Sequence, residues 1–318
     1  MDLFEIANVN KQVIDDEIYN IITEDELLSY DQKQFILDLT INQGKKLRPL
    51  FTIIGSYFGN KEVAHIYKYA SIFELVHTAT LIHDDVIDHA ETRRGIPSLH
   101  ITTDKYTAIM LGNYVMSMCA ELISKYNIEE DYYSYMSLTD LCHSEIMQQD
   151  FLYNFDVSLK EYIEKTKNKT ALLIAASLIS GASIAGADKR TLKHLYHYSI
   201  NLGISFQIID DILDFTQGES ELGKPAGQDL LNGNITLPVI YALKNKKISS
   251  KIRELSENSS ESEFKSCIDL IQDSKALDRS KKLNKKYQQK AKRALRKIKH
   301  PDTKILKELL LQLEKRSS

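Results

Sequence analysis

Breakers of helical structure are scarce in this chain. Its 318 residues hold only 12 glycines and 5 prolines, with no tryptophan and three cysteines. Four of the glycines (Gly218, Gly223, Gly227, Gly233) fall in one short segment, so the rest of the chain has almost nothing to force turns. That scarcity excludes a turn-rich β architecture and, with abundant Leu, Ile, Ala, Lys and Glu, favours helices. Cys119, Cys142 and Cys267 are too few and too scattered for a disulfide framework or a zinc site, so buried or incidental thiols are expected. The longest small-and-apolar run, residues 172–187, is broken by serines and a glycine and falls short of the roughly 20 apolar residues a membrane span needs. The N-terminal stretch MDLFEIANVNKQVIDDEI is acidic and amphipathic, unlike a signal peptide. These features point to a reduced, cytoplasmic protein with at most peripheral membrane contact.

Excess charge of either sign is also missing overall, since the formal net charge is −3. Its distribution is uneven: residues 245–318 carry 21 Lys and Arg against 10 Asp and Glu, leaving +11 there and −14 before it. Solvated helix faces are the plain reading of that tail, and a surface for anionic lipid or an acidic partner the sharper one. Without aromatic interleaving or a recognition motif, nucleic-acid binding is not expected. No period of 20–50 residues repeats. Helical periodicity recurs instead, at residues 51–58, 71–88, 108–126, 132–151, 159–167, 170–185 and 192–215, with a long glycine-containing loop at 216–234. The tail, 281–295 and 304–313, reads as polar helix. The expectation is one all-α domain over residues 1–318.

Against that background the stretch LIHDDVIDHAETRRGIPSLH, residues 81–100, places Asp84, Asp85 and Asp88 at the end of a nearly all-round apolar helix. At about 100° per residue, Asp84 and Asp88 share one stripe, within about 40° of each other and one turn apart. Two carboxylates so placed repel, and the repulsion changes sign once a divalent cation lies between them. The spacing recurs 126 residues later as Asp210, Asp211 and Asp214 in FQIIDDILDF. One such cluster is weak evidence, because three solvated acids at a helix end explain it equally well. Two copies, both set in apolar helix, point to shared hard cations. All-oxygen sites with few carboxylates suit Mg²⁺, which normally completes its shell with water and substrate phosphate. Basic candidates for that phosphate are Lys45, Arg48, Arg93, Arg94, Lys169 and Lys224. Lys169 and Thr170 are read as opening a helix whose free N–H groups also attract anions. Lys46 is assigned only to the surface.

These residues resemble the trans-isoprenyl diphosphate synthases, the polyprenyl synthetase family. The resemblance runs from about Gly44 to Leu295. It rests on Gly44-Lys45-x-x-Arg48-Pro49, Glu74-x-x-His77, His83-Asp84-Asp85-x-x-Asp88, Arg93-Arg94-Gly95, Lys169-Thr170, Phe206-Gln207-Ile208-x-Asp210-Asp211-x-x-Asp214 and Leu222-Gly223-Lys224-Pro225 with Gly227-x-Asp229. Departures are small: Gln43 where a second glycine is common, and Ser205 where alanine is common. The resemblance implies the isoprenoid synthase fold, a single bundle of long antiparallel helices around a central cavity, usually a homodimer. It implies condensation of isopentenyl diphosphate onto an allylic diphosphate with two or three Mg²⁺ ions.

By motif position, Asp84 and Asp88 would bind Mg²⁺ with Asp85 in support, and Asp210 and Asp211 would complete the metal site. Lys45, Arg48, His77 and Arg94 would hold isopentenyl diphosphate. Arg93, Lys169, Thr170, Gln207 and Lys224 would hold the allylic diphosphate. Small residues at Ala79 and Thr80, where the family places a bulky floor to stop growth early, imply products of roughly C30 or longer. The alternatives are a farnesyl or geranylgeranyl diphosphate synthase, a terpene cyclase, a non-catalytic subunit, or the catalytic half of a two-component synthase needing a small partner subunit. The second acidic motif argues against the cyclase, and both acidic motifs against the non-catalytic subunit.

Overall fold

The computed structural model describes residues 2–41, 43–125, 152–216 and 226–316. The expected helix 132–151, Cys142 and Lys224 lie outside the described residues. The architecture is all-α, and the chain groups into two compact units, Met1–Ser134 with Ala176–Lys193, and Tyr135–Ala175 with His194–Ser318.

The first unit contains α1 (Leu3–Ala7), α2 (Lys11–Thr23), α3 (Tyr30–Thr40), α4 (Leu47–Ser56), α5 (Ile66–Ile87), a two-residue hairpin of β1 (Thr92–Arg93) and β2 (Ile96–Pro97), α6 (Leu99–Thr102) and α7 (Lys105–Ser124). Local sequence explains the starts. Asp2 with Glu5 and Ser29 with Gln32 form capping boxes that satisfy the first free N–H groups of α1 and α3. Asp104 accepts from two backbone N–H groups at the head of α7. Pro49 sits in the first turn of α4, where its missing N–H costs nothing.

Helix α5 is the centre of this unit, packed by α2, α3, α4 and α7. Its apolar residues cover most of its circumference, as a helix buried on all sides requires. Ser71 Oγ donates to the Ile14 carbonyl at 3.2 Å, tying α5 to α2. Cys119, on α7, is buried and free, as is Cys267 in the second unit. Helix α7 is long and apolar enough to cross a membrane by length and composition. It and α6 leave Ile101, Tyr106, Ile109 and Met110 exposed.

The second unit contains α8 (Leu159–Thr166), a π-helical turn (Lys167–Ala171), the start of α9 (Leu172–Ile184), most of α10 (Lys189–Thr216), α11 (Gln228–Leu231), α12 (Leu237–Ala242), α13 (Lys246–Arg253), α14 (Glu261–Gln272), α15 (Ala276–Leu295) and α16 (Thr303–Arg316). Capping boxes at Ser158–Glu161 and Ser260–Glu263 start α8 and α14. Along α10, Ile200, Ile204, Ile208 and Ile212 recur every four residues and run into a core with Leu237, Ile240, Phe264 and Ile268. Helix α12 packs on α15 and α15 on α16, while Tyr198 donates to the Leu306 carbonyl at 2.8 Å.

One expectation about local structure is overturned here. Lys169 and Thr170 do not open a helix. The residues flanking the π-turn, Thr166 and Leu172, both have helical dihedrals, so α8 runs through it into α9 without a free N-terminus. An anion at Lys169 therefore meets side chains, with no exposed row of N–H groups to help.

Within the first unit, α4 and the later half of α9 approach backbone to backbone. A Cβ on Gly181 would lie 1.8 Å from the Thr52 carbonyl oxygen, and one on Gly55 2.1 Å from that of Leu178. Gly181→Ala is expected to destabilise the fold by about 1–3 kcal/mol through overpacking, read as a lower midpoint in urea; an unchanged midpoint would contradict this contact.

Candidate active site

The last turns of α5 carry the first acidic cluster, and the three acids have different surroundings. Helix α5 ends at Ile87, one residue short of the expected Asp88, which caps it: its N–H donates to the Asp84 carbonyl at 2.8 Å. His89 follows in the left-handed region (φ 52°), and the Ala90 N–H closes back on the Asp85 carbonyl at 3.0 Å. Asp84 is half-buried and Asp88 exposed. Asp85 is buried and occupied: Arg93 donates to its Oδ1 from Nε at 2.7 Å and from Nη2 at 2.5 Å, and Ser98 Oγ donates to Oδ2 at 3.1 Å.

The hairpin after α5 separates the two adjacent arginines. Arg94 and Gly95 both have positive φ (53° and 83°), the signature of a two-residue turn of the primed type. Arg93, on the strand before the turn, reaches back to Asp85. Arg94 reaches elsewhere, donating to the Leu39 carbonyl at 2.5 Å and lying 3.9 Å from Glu74. Gly44 makes room for it, since a Cβ there would lie 2.9 Å from an Arg94 guanidinium nitrogen.

Lys46 is not at the surface. It is 1% exposed, pairs with Asp15 at 3.2 Å and donates to the Thr40 carbonyl. Burial lowers its pKa, against the raising effect of Glu74 and Asp15. Beside it the Arg48 Nε is buried with no hydrogen-bond partner among the described residues. Burial pushes the Arg48 guanidinium down to about 10, and it remains charged at neutral pH.

His77 shares this surrounding. Burial first, then the charges of Arg48, Arg94, Arg93 and Lys46, push its pKa well below the ordinary histidine value. It is a neutral imidazole, able to donate one hydrogen bond without adding charge. Thr80 donates to the His77 carbonyl at 2.8 Å, while Ala79 is buried and Lys45 exposed. Lys46, Arg48, His77 and Arg94 are thus brought together around Glu74, and the cations outnumber the acids.

The second acidic cluster lies near the end of α10. Asp211 is buried, accepting from the Tyr162 hydroxyl at 2.5 Å and from Gln207 Nε2 at 3.0 Å. Burial, then the neighbouring Asp229 charge, push its carboxyl up to about 7 against the lowering effect of Gln207, Tyr162 and the Leu237 backbone. Thr170 donates to Gln207 Oε1 at 2.9 Å, so Thr170, Gln207, Asp211 and Tyr162 form one chain of hydrogen bonds. Gly203, one turn before Gln207, allows this, because a Cβ there would lie 2.6 Å from Ala171 Cα.

Asp214 clamps the backbone. Its carbonyl accepts from the Gly227 N–H at 2.7 Å and its carboxylate from the Asp229 N–H at 3.3 Å. Asp210 is half-buried on the same helix.

Among the described residues, no three or more His, Cys, Asp or Glu side chains are gathered to hold a metal by themselves. The donor chemistry nonetheless fits Mg²⁺. Oxygen-only ligands on accessible or half-buried carboxylates leave most of its shell to water and phosphate. Tyr162, Ser98, Asp15 and Lys46 are the partners that motif reasoning missed. Tyr162, Ser98 and Asp15 belong to none of the motifs, and Lys46 looks the same as its exposed neighbour Lys45.

The comparisons with known proteins put this all-α chain among the prenyltransferases. The polyprenyl synthetase family model matches residues 32–271, and the chain belongs to that family. Heptaprenyl diphosphate synthase component 2 of Bacillus subtilis is 40% identical over 250 residues, covering 78% of this chain and 72% of its own. Solanesyl-diphosphate synthase 2 of rice is 38% identical over 76% of this chain and 62% of its own.

Among solved structures, heptaprenyl diphosphate synthase from Staphylococcus aureus superposes with a TM-score of 0.87 at 35% identity over 96% of both chains. A polyprenyl synthase from Caulobacter crescentus, complexed with calcium and isoprenyl diphosphate, gives 0.85 at 28% identity, over 99% of this chain and 96% of its own.

Breaking the buried Lys46–Asp15 pair from one side strands a charge, which typically costs about 3–5 kcal/mol. Lys46→Met is expected to lose that much in urea unfolding, and Lys46→Met with Asp15→Leu clearly less. Equal losses in the single and double variants would show that the pair is not coupled.

Proposed function

We propose that this chain catalyses head-to-tail condensation of isopentenyl diphosphate onto an allylic diphosphate, giving an all-trans polyprenyl diphosphate of C30 or longer. The carrying observation is the cationic cluster of buried Lys46 and part-buried Arg48 and Arg94 beside a neutral His77, a surplus of positive charge that an anionic substrate would balance. In this reading residues 1–318 work as one catalytic domain, since the family match runs through both compact units.

Lys45, Arg48, His77 and Arg94 hold isopentenyl diphosphate. Arg93, Lys169, Thr170, Gln207 and Lys224 hold the allylic diphosphate, Arg93 with the N–H groups that Asp85 leaves over. Asp84, Asp88 and Asp210 are the Mg²⁺ ligands, with Asp85 and Asp211 orienting the residues around them. Bound Mg²⁺ supplies charge neutralisation for the departing diphosphate.

The remaining chemistry needs no side-chain nucleophile. As the allylic C–O bond breaks, Lys169 and Arg93 stabilise the charge gathering on the leaving diphosphate. The isopentenyl double bond attacks the allylic carbocation, forming the new C–C bond. A proton then leaves the isopentenyl unit for the released diphosphate and regenerates an allylic product. The apolar walls of α5 shield the cation from water. In this reading the small side chains of Ala79 and Thr80 set no bulky floor along α5, and relatives named heptaprenyl and solanesyl diphosphate synthase support a long product.

The printed "component 2" of two relatives favours a second reading for assembly, that this is the catalytic half of a two-component synthase. The exposed apolar residues of α6 and α7 support an interface, with a second copy of this chain or with a small subunit. Assay of the purified chain with isopentenyl diphosphate, an allylic primer and Mg²⁺ separates the two, since full condensation without a partner excludes the second. In this reading the enzyme works in the cytoplasm, with at most peripheral contact with membrane.

Asp84→Ala is expected to lower condensation by roughly 10²–10³-fold or more while leaving the thermal midpoint unchanged or raised, because it relieves carboxylate repulsion. Retained turnover would remove Asp84 from the metal set. Ala79→Phe is expected to shorten the product, read by chromatography of chains grown from labelled isopentenyl diphosphate. An unchanged length would place the limit on growth elsewhere.

A further inference from the structure

The basic excess of the last quarter of the chain is unused by the chemistry proposed above, and part of it lines one groove. On α15, Ser280, Asn284 and Gln288 recur every four residues and are buried, where a packed helix ordinarily places leucine or isoleucine. Two of these polar groups are answered. Ser280 Oγ donates to the Ala276 carbonyl at 2.9 Å, and Asn284 Oδ1 accepts from Ser205 Oγ at 2.5 Å. Gln288 is 4% exposed, and its Nε2 has no hydrogen-bond partner among the described residues. A buried amide donor left unmade costs free energy, so its retention calls for an acceptor.

Gln288 lines a groove of about 570 Å³ between α15 and α16, together with Lys281, Lys285, Lys292 and Glu314. Among the described residues Glu314 is the only carboxylate lining it, and Lys292 pairs with it at 2.7 Å. Lys281 and Lys285 have no carboxylate within ion-pair reach among the described residues. Cations therefore outnumber carboxylates in the groove, and two ammonium groups and one unanswered amide donor, at positions 281, 285 and 288, lie one helical turn apart.

We propose that this groove is a binding site for a phosphate or diphosphate group. Lys281 and Lys285 supply the charge, and Gln288 Nε2 supplies a directed hydrogen bond to one phosphate oxygen. Several oxygens on one phosphorus answer all three donors at once, which a single neutral acceptor cannot do. Two sources carry this chemistry: free diphosphate in solution and the headgroup of an anionic phospholipid.

The test uses the full chain in metal-free buffer with a chelator, so that Mg²⁺-dependent binding elsewhere is silent. Inorganic pyrophosphate is titrated while the ¹⁵N side-chain amide signals of Gln288 are followed. In parallel, wild type and K281A/K285A are sedimented with phosphatidylcholine vesicles and with vesicles containing phosphatidylglycerol. A soluble ligand predicts a saturable shift of the Gln288 signals, weakened roughly tenfold or more in K281A/K285A, with equal vesicle binding by both proteins. A lipid headgroup predicts selective sedimentation of wild type with the phosphatidylglycerol vesicles, lost in K281A/K285A. Lys285 is exposed and Lys281 half-buried, so the double variant should keep the wild-type thermal midpoint. Gln288 signals unmoved by pyrophosphate, combined with vesicle binding that ignores the two lysines, overturn the proposal. A Gln288 shift that survives K281A/K285A overturns it as well.

Discussion

Charge held among apolar helices is the constraint on which the rest of this structure depends. An ionised group taken out of water is tolerated only when something opposite or hydrogen-bonding takes the place of its hydration. The chain meets that demand differently at each place. Lys46 has Asp15 and a carbonyl, Asp85 has Arg93 and Ser98, and Asp211 has a tyrosine hydroxyl and an amide. Arg48 is the exception: it is burdened by burial, attracted by Glu74 and repelled by Arg94, and its buried Nε has no hydrogen-bond partner among the described residues. Burial first, and then the same neighbouring charges, hold the His77 pKa well below the ordinary histidine value. The result is a place in the first unit where the protein's own charges do not balance, and that imbalance is what marks it for an anionic substrate.

Several of these features are legible in the sequence, and the reason is periodicity. An apolar pattern around the whole circumference identifies α5 as a buried helix, and a repeated Asp-Asp-x-x-Asp spacing identifies two helix ends with one chemistry. The failures have equally definite causes. Lys45 and Lys46 are the same residue type in adjacent positions, and only the fold decides that one is exposed while the other reaches Asp15. Arg93 and Arg94 are likewise indistinguishable in sequence, yet the tight turn between them sends one back to Asp85 and the other to Leu39 and Glu74. Tyr162 carries no motif, and its role comes from Asp211 lying beside it. Lys167, Asn168, Lys169 and Thr170 hold nothing that breaks a helix, so the widened turn they form is invisible to propensity.

The two acidic clusters lie near the ends of α5 and α10, and the surrounding side chains decide how each acid behaves. Three aspartates at the end of α5 look equivalent as letters but are not equivalent as groups: one is locked to an arginine, one is half-buried, and one caps the helix in contact with water. A cluster of like charges is thereby graded by depth, from a buried member to one at the surface. The same grading runs through α10, where Asp211 is buried and Asp210 half-buried.

The π-turn at Lys167–Ala171 has a consequence for how this segment can evolve. A π-turn is an α-helix with one surplus residue folded into it. Because the wide turn absorbs that residue within one circuit of the helix, its removal would leave a regular helix whose later side chains, Leu172 and Ala175 among them, keep their facing relative to α8. What a deletion would change is the turn itself, which carries Thr170 against Gln207. The surplus residue therefore shapes the side chains carried in the turn and leaves the packing beyond it alone.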